Sequence, residues 1–348
     1  MTAAEGSYLG FAKQTAVNTP NVTDASFVYM LFQDGGMSPN NVYLPTEPEV
    51  GGGAFQRSVL KAGIYSAGKL TFIPRPASLG FALHSLIGCV TSTDLTGGAF
   101  SHAFAPLTSD QFSAPYYTIR QAPGNLWGET MQDCRWTSLS LNWRGGNFLR
   151  GEAALIGGLP AKVASMGTWA PAAKVDGGPQ FLAPLSKIEV PDATVLSVLS
   201  GSFAISSSIP LDEQWIVGSY APQGLDIVQK AAMISLAIKI TDTTLYTKIM
   251  YDPAAGNAWV AAMFKEASID IQFVSDTLAK TAVPYSVAFA ANGQAAATGN
   301  SNIAWTAQPL SLRAGKQIVL GVTGMYLADP AGTNDPITVT LVNKQTTY

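Results

Sequence analysis

The run from Gly63 to Lys69 (GIYSAGK) is the stretch of the sequence that comes nearest to a phosphate-binding motif. It matches the first part of a P-loop, in which backbone N–H groups and a lysine hold phosphates. The next residue is Leu70, so the hydroxyl group that would bind Mg²⁺ is missing. A P-loop also opens a helix, whereas this run continues as a strand-like pattern that ends at Pro74. The sequence therefore argues against nucleotide binding here.

The two histidines, His84 and His102, are the next candidates, because imidazole is a frequent general base near neutral pH. No G-x-S-x-G, H-E-x-x-H or C-x-x-C motif accompanies them. Zinc binding by both together with Cys89 and Cys134 would need distant ligands, without the short spacings typical of zinc sites. We expect structural roles for both histidines and two reduced thiols.

Carboxylates are the last candidates for catalysis, and Asp212, Glu213 and Glu152 are the ones considered. A glycosidase needs two carboxyl groups roughly 5–10 Å apart across a cleft. Nothing in the sequence brings these residues together, so we interpret them as solvated or interface charges. The seven tryptophans are scattered rather than grouped as a sugar-stacking platform. The sequence predicts no catalytic residue, no cofactor site and no metal site, and hence a protein that is not an enzyme.

The composition indicates a protein that is covered by other protein. Of 348 residues, 47% are hydrophobic and only 12% are charged, about half the charged fraction of an average globular domain. No apolar run approaches the roughly 18 residues of a membrane span, and the N-terminus lacks the features of a signal peptide. We therefore expect an assembly subunit without a membrane partner.

The charge balance bears on nucleic acid. The net charge is −3, and no run of lysine and arginine stands out. Tight binding of DNA requires a basic surface that displaces counterions. The sequence disfavours such binding but is compatible with DNA passing nearby.

The segment from Cys134 to Gly157 carries the clearest structural pattern. Apolar Leu139, Leu141 and Trp143 alternate with polar residues, as in a strand with one buried face. Gly145-Gly146 then predicts a tight turn that needs positive φ angles, after which the alternation resumes from Phe148. We predict a long β-hairpin whose wetted face carries Ser138, Ser140, Asn142, Arg150 and Glu152.

Other elements are predicted on either side of this hairpin. Residues 1–25 form an arm rather than a core element, and residues 33–53, rich in Gly and Pro, form a loop. Two strands lie between Arg57 and Ile73, and Ser78 caps a short helix that ends at Ile87. Residues 159–193 form a linker packed along the surface.

The second half repeats the order strand, short helix, strand, long hairpin. The helix begins at Thr243 or Thr244 and ends at Tyr251, and Leu310-Ser311-Leu312 followed by Ala314-Gly315 matches the first hairpin. The fold class predicted is mainly β, with two tandem β-sandwich or barrel domains, each with a short flanking helix and a long hairpin. The domain boundaries are 26–158 and 194–348.

Several stretches carry a resemblance to a known family. They include His102-x-Phe104-x-Pro106, Pro115 to Ile119, Asp133-Cys134 and the hairpin ending at Gly158, together with Gly10 to Thr15 and Leu199 to Phe203. This chain resembles the major tail tube proteins of long-tailed (siphovirus-like) bacteriophages, over most of its length and without an invariant signature. The resemblance implies β-sandwich domains that join sheets around a ring, with no catalytic residues.

The resemblance also implies function and partners. Rings stack into a hollow conduit for DNA ejection, and double-stranded DNA passes through without tight binding. The partners implied are further copies of the chain, tail terminator, baseplate and tape measure proteins, and the location is the phage tail after assembly in the host cytoplasm. There are two alternatives. One is another β-rich virion component, such as a decoration or baseplate hub protein, and the other is a carbohydrate-binding β-sandwich protein.

Two site-level expectations follow. The wetted hairpin faces should line the lumen, which adds Ser311, Arg313 and Gln317 of the second copy to the residues named above. If each half fills one position of a ring that single-domain relatives build from six chains, three chains close the ring as a pseudo-hexamer.

Overall fold

The computed structural model describes residues 6–46, 55, 58–106, 114–166, 169–190, 194–195, 197–240, 269–290, 303–308, 317–328 and 335–348. Within these ranges the chain is mainly β, with one α-helix, and its strands pair antiparallel in two sheets. The predicted fold class, a β-rich chain compatible with tandem sandwiches, is confirmed. No helix among the described residues is long and apolar enough to cross a membrane.

Ten strands and the helix α1 (Pro76–Ile87) are described up to residue 163, and the helix lies between the fourth and fifth of these strands. The strands are β1 (Tyr8–Lys13), β2 (Val28–Met30), β3 (Asp34–Pro45), β4 (Val59–Phe72), β5 (Cys89–Asp94), β6 (Phe100–Ala105), β7 (Tyr117–Ala122), β8 (Gly128–Arg144), β9 (Arg150–Gly157) and β10 (Pro160–Val163).

Nine further strands are described after residue 180. They are β11 (Leu182–Val190), β12 (Thr194–Val195), β13 (Val198–Ser208), β14 (Gln229–Lys239), β15 (Asp270–Lys280), β16 (Val283–Ala290), β17 (Ile303–Ala307), β18 (Val319–Tyr326) and β19 (Thr338–Asn343).

The larger sheet is branched at β8, the longest strand. One path runs β17-β18-β14-β13-β8, and the C-terminal part of β8 also pairs with β9, which continues to β4 and β3. The N-terminal part of β8 pairs with β7 and β10, and β7 leads to β1 and β2. Since β8 is 17 residues long, it pairs with two strands along each edge: β7 and β10 at its N-terminal part, β13 and β9 at its C-terminal part.

The second sheet has the order β12-β11-β15-β16-β19-β6-β5 and packs against the first. The ring centroids of Trp143 and Phe273 lie 5.0 Å apart, and those of Phe203 and Phe289 lie 4.4 Å apart. Each sheet contains strands from both predicted halves, joined by the pairs β8·β13 and β6·β19. The proposed division into domains at residues 158 and 194 stays a prediction, and most of the buried residues form one cluster that spans it.

Helix α1 begins earlier than predicted and is capped differently. It starts at Pro76, whose fixed φ suits the first helical position, after extended Arg75. Ser78 lies inside the first turn, where its backbone N–H donates to Asp176 Oδ2 at 2.6 Å. The helix ends at Ile87, as predicted, and is capped by Gly88, which has φ 114° and donates its N–H to the carbonyl of His84. The Asp176 carboxylate thus replaces the predicted Ser78 cap, because tertiary packing brings it to the helix N-terminus.

Three segments predicted to lack regular structure contain strands. The predicted arm contains β1, with Leu9 and Phe11 fully buried. The predicted loop contains β3, which pairs with β4 along its whole length, so β4 is one long strand rather than two. The predicted linker contains β10 and β11. β1 lacks alternation because it is buried on both faces, and β3 because it is rich in turn-forming residues.

Two predicted elements lie outside the described residues. They are the second-half helix from Thr243 or Thr244 to Tyr251 and the hairpin turn at residues 309–316. The strands that flank this turn, β17 and β18, do pair antiparallel, with Trp305 opposite Gly324.

Candidate lumen-facing surface

The β8–β9 hairpin forms as predicted. Leu139 and Leu141 are fully buried and Trp143 is nearly so, while Ser138, Ser140 and Asn142 between them are partly exposed. On the return strand Leu149, Ala153 and Leu155 are buried, whereas Arg150 and Glu152 are exposed. At the turn only Gly146 has positive φ, at 84°, and Gly145 instead donates its N–H to the carbonyl of Leu199. A backbone hydrogen bond therefore joins the turn to the start of β13.

The five predicted residues Ser138, Ser140, Asn142, Arg150 and Glu152 lie on one face of the larger sheet, here called the polar face. The register places Ser140 opposite Glu152 and Asn142 opposite Arg150. The Asn142 amide donates to Ser140 Oγ at 3.3 Å. Since directly paired residues point to the same side of a sheet, these side chains are neighbours.

The polar face continues across the strands on both sides of the hairpin. Asn142 pairs with Ser202, Ser202 with Ser235, and Ser235 with Thr323, so a row of small polar side chains crosses four strands. The Ser235 and Thr323 hydroxyl groups lie 3.4 Å apart. Another row, one pair further along, contains the exposed Met233 and Met325. These neighbouring residues were not predicted, although the Ser/Phe/Ala/Ile alternation of β13 in the sequence carries the signal.

The charges on the polar face are mixed. Exposed Lys69 pairs with Ala154 beside Ser138, and exposed Asp34 lies opposite Thr71, which pairs with Glu152. The ion pairs found among the described residues, Arg120–Asp24 and Lys187–Glu189, lie elsewhere. Arg150 and Glu152 are therefore directed to solvent, and cations and anions alternate over this part of the face.

The second-copy residues are only partly described. Gln317 is exposed and precedes β18. Ser311 and Arg313 lie outside the described residues.

The residues considered for catalysis are placed apart. His84 is buried on α1, and its Nδ1 lies 3.1 Å from the Tyr117 hydroxyl. Burial, with a smaller contribution from Lys13, lowers the pKa of His84 to about 3. A neutral imidazole that stays neutral over the whole physiological range is a poor general base, so this site does not support proton transfer.

His102 is fully buried in the second sheet. Its Nδ1 lies 2.8 Å from Ser92 Oγ, and its Nε2 lies 3.0 Å from Asn343 Oδ1 and 2.8 Å from the Gln345 carbonyl. Burial lowers its pKa. Nδ1 is thus used within the sheet, toward β5, and Nε2 toward the C-terminal segment, so the contacts of this ring are structural.

The cysteines and carboxylates form no site either. Cys89 and Cys134 are free thiols, and burial raises the pKa of Cys134 well above its usual value. Among the described residues, no three His, Cys, Asp or Glu side chains come together as a metal site would require. Asp212 and Glu213 are exposed on a short 3₁₀ helix, Leu211–Gln214, while Glu152 lies on the polar face.

Comparison with known proteins identifies the family. A search of curated proteins gave no match. A family model described as phage tail tube protein matches residues 5–341, nearly the whole chain. The chain therefore belongs to the phage tail tube proteins, structural subunits of the virion tail.

Proposed function

We propose that three copies of this chain close a ring with six similar positions, and that stacked rings form the DNA conduit of a long-tailed phage. The single observation that supports this most strongly is the strand order of the larger sheet. Along the path β17-β18-β14-β13-β8-β9-β4-β3, the first four strands come from the second half and the last four from the first half.

The two sets of four strands correspond one to one. The first two strands of each set pair with each other (β17 with β18, β8 with β9). The third strand (β14 or β4) pairs on its far side with the strand that precedes it in the chain (β13 or β3). The sheet is therefore a tandem head-to-tail array. This supports the proposal that two tube-like domains are fused in one chain.

The junction inside the chain supplies a template for the junction between chains. β13 pairs with β8 over seven residue pairs, from Ser200–Arg144 to Ser206–Ser138. The equivalent strand of the first half, β3, pairs with β4 alone among the described strands. We infer that β3 pairs with β17 of the next chain as β13 pairs with β8. At Met37 the outer edge of β3 is already bonded to the Gln121 side chain, so this pairing runs along residues 38–45.

The geometry of closure fits a channel for DNA. Three chains with eight strands each would give a barrel of about 24 strands. With strands about 4.8 Å apart and tilted by about 35–45°, the barrel is about 45–50 Å across at the backbone. A lumen of that size admits a double helix with room for side chains.

The polar face is proposed to line this lumen. The opposite face of the larger sheet packs against α1 and the second sheet through Leu141, Phe203 and other buried residues, so it is unavailable to a channel. Small hydroxyl groups with interspersed Lys69, Arg150, Glu152 and Asp34 give a wetted wall without a basic track. Such a wall lets phosphates slide past because it neutralises few of them.

Stacking is proposed to involve the β3–β4 hairpin. β9 pairs with β4 only between Ser66 and Phe72, so the seven residues from Val59 to Tyr65 extend about 23 Å past the end of β9, paired with β3. Near its end, Tyr43, Leu44, Val59 and Leu60 are each more than half exposed. A two-stranded hairpin with an exposed apolar end is only marginally stable in water, and an adjacent ring would cover that end.

Image averages of the purified assembly viewed along its axis test the ring number. We expect threefold symmetry with six similar lobes. True sixfold symmetry from six full chains would contradict the fusion argument. Binding to capsids or to glycans without polymerisation would instead favour a decoration protein or a carbohydrate-binding protein. We also propose that the tube assembles in the host cytoplasm and contacts tail terminator, baseplate and tape measure proteins.

Disulfide cross-linking tests the strand junction. The variants combine Ser38→Cys with Ala304→Cys or Thr306→Cys, and each single variant is the control. Under oxidation of unstacked rings, the covalent ladder should end at three chains. A ladder that ends at six would contradict a ring of three chains, whereas double variants that cross-link no more than the single variants would refute the β3–β17 junction.

A further inference from the structure

The projecting part of the β3–β4 hairpin is held by a loop from the second half. This loop, residues 209–228, joins β13 to β14 and is here called the brace loop. The backbone N–H of Ile64 donates to the carbonyl of Tyr220 at 2.7 Å. The Trp215 ring lies against Gly63 so closely that a Cβ at this position would be 2.4 Å from ring atom Cζ3. The absence of a side chain at Gly63 thus lets the indole ring of Trp215 pack directly against the backbone.

The brace loop is itself fixed. Its two ends are joined where the Gln223 N–H donates to the carbonyl of Gln214 at 3.0 Å. The Gln223 amide also donates to Ser219 Oγ at 2.9 Å. Buried Arg135 on β8 donates to the carbonyl of Leu225 at 2.7 Å. A loop anchored in this way can impose a direction on the hairpin that it touches.

The position of the brace loop explains why it meets the hairpin. In the tandem strand order, the loop connects β13 to β14 just as the hairpin end connects β3 to β4. The two connections therefore leave the array on the same rim. One connection projects as a hairpin, whereas the other folds against it and exposes Ile216, Val217 and Tyr220, which are 56%, 105% and 68% exposed.

We propose that Trp215 is a positioning residue for the contact between stacked copies of this chain. By seating on Gly63, it fixes the angle at which the hairpin leaves the ring, so that the hairpin end and the apolar part of the brace loop meet the next copy together. This inference rests on the proposed ring-and-tube function. It adds that each chain carries one braced hairpin, so a ring of three chains stacks through three such units.

The test compares Trp215→Ala with Trp127→Ala, whose side chain is 40% exposed in the wild type. We expect Trp215→Ala to form rings of wild-type mass and unchanged thermal stability, with the ring concentration needed for tube growth raised about tenfold or more. Amide hydrogen exchange at residues 58–66 of unstacked rings should become faster. Trp215→Phe should restore most of the stacking, and Trp127→Ala should behave as wild type.

A substitution on the other side of the contact gives an independent check. Gly63→Ala places a methyl group where the indole ring lies and should reproduce the stacking defect, whereas Gly177→Ala, with no heavy atom within 4 Å, should not. In the Trp215→Ala background, Gly63→Ala should add little. Wild-type stacking by Trp215→Ala rings, or unchanged exchange at residues 58–66, would overturn this inference alone. Wild-type protein that forms no rings would overturn the proposed function instead.

Discussion

Protonation of His84 should make the folded chain less stable as the pH falls. The ring is 5% exposed, contacts the Tyr117 hydroxyl and lies near Lys13, so the charged imidazolium is disfavoured by burial and then by a like charge. Its pKa is about 3 in the folded chain, against 6.5 ordinarily. A group with a lowered folded pKa of this kind binds its proton only on unfolding, so the stability is present above pH 6.5 and is lost as the pH falls toward 3.

The magnitude follows from linkage. At pH 5, protonation of His84 in the unfolded chain shifts the folding equilibrium toward the unfolded state by a factor of about 33. In the folded chain the imidazole is almost unprotonated at this pH, so no comparable gain offsets the shift. The loss of unfolding free energy between pH 7.5 and pH 5 is therefore about 2 kcal/mol from this residue. That is a large share of the stability of a typical domain.

Denaturant unfolding at pH 7.5, 6 and 5 measures this effect in wild type and in His84→Gln, with the assembly state held constant and checked by light scattering. Because His102 and the buried carboxylates titrate in both proteins, the difference between the two pH profiles isolates His84. The wild type should lose about 2 kcal/mol more than the variant between pH 7.5 and pH 5. Parallel profiles would refute the assignment of a buried, neutral His84.

Two further substitutions test the packing and the polar face. Phe203→Ala removes a fully buried ring that packs at a tilt against Phe289 between the two sheets, and it should lower the unfolding free energy by about 3–5 kcal/mol. Leu199→Ala, at a position 41% exposed, should change it little, and equal effects would contradict the packing. Glu152→Lys on the polar face should leave folding and tube formation intact while slowing DNA ejection through added attraction for phosphate. Asp276→Lys, exposed on β15 of the second sheet, should not slow it, and an unchanged ejection rate in Glu152→Lys would count against a lumen position.

The β8–β9 hairpin was predictable because its burial is one-sided. Leu139, Leu141 and Trp143 face the core, and the residues between them face solvent. Apolar and polar residues therefore alternate with a period of two, which predicts a strand with one buried face. The fastening of Gly145 to Leu199 was not predictable, since it joins residues 54 positions apart and leaves no local pattern.

The strands that were missed fall into two physical classes. β1 is buried on both faces, with Leu9, Gly10, Phe11 and Ala12 all buried, so no alternation can reveal it. β3 reads as a loop because its sequence, DGGMSPNNVYLP, favours turns. It is a strand because β4 pairs with it along 12 residues, and long-range hydrogen bonds outweigh weak local preference.

The sequence by itself determined the β class and the β8–β9 hairpin with its partly exposed polar residues, since both are expressed in local periodicity and composition. Only the tertiary structure decided that strands from before residue 158 and strands from after residue 194 share both sheets, and that the Trp215 ring packs against Gly63. Strand order and loop-to-loop contacts depend on which strand edges pair after the chain has folded. Gly63 and Trp215 are 152 positions apart, and the sequence around each of them gives no local pattern that predicts their contact.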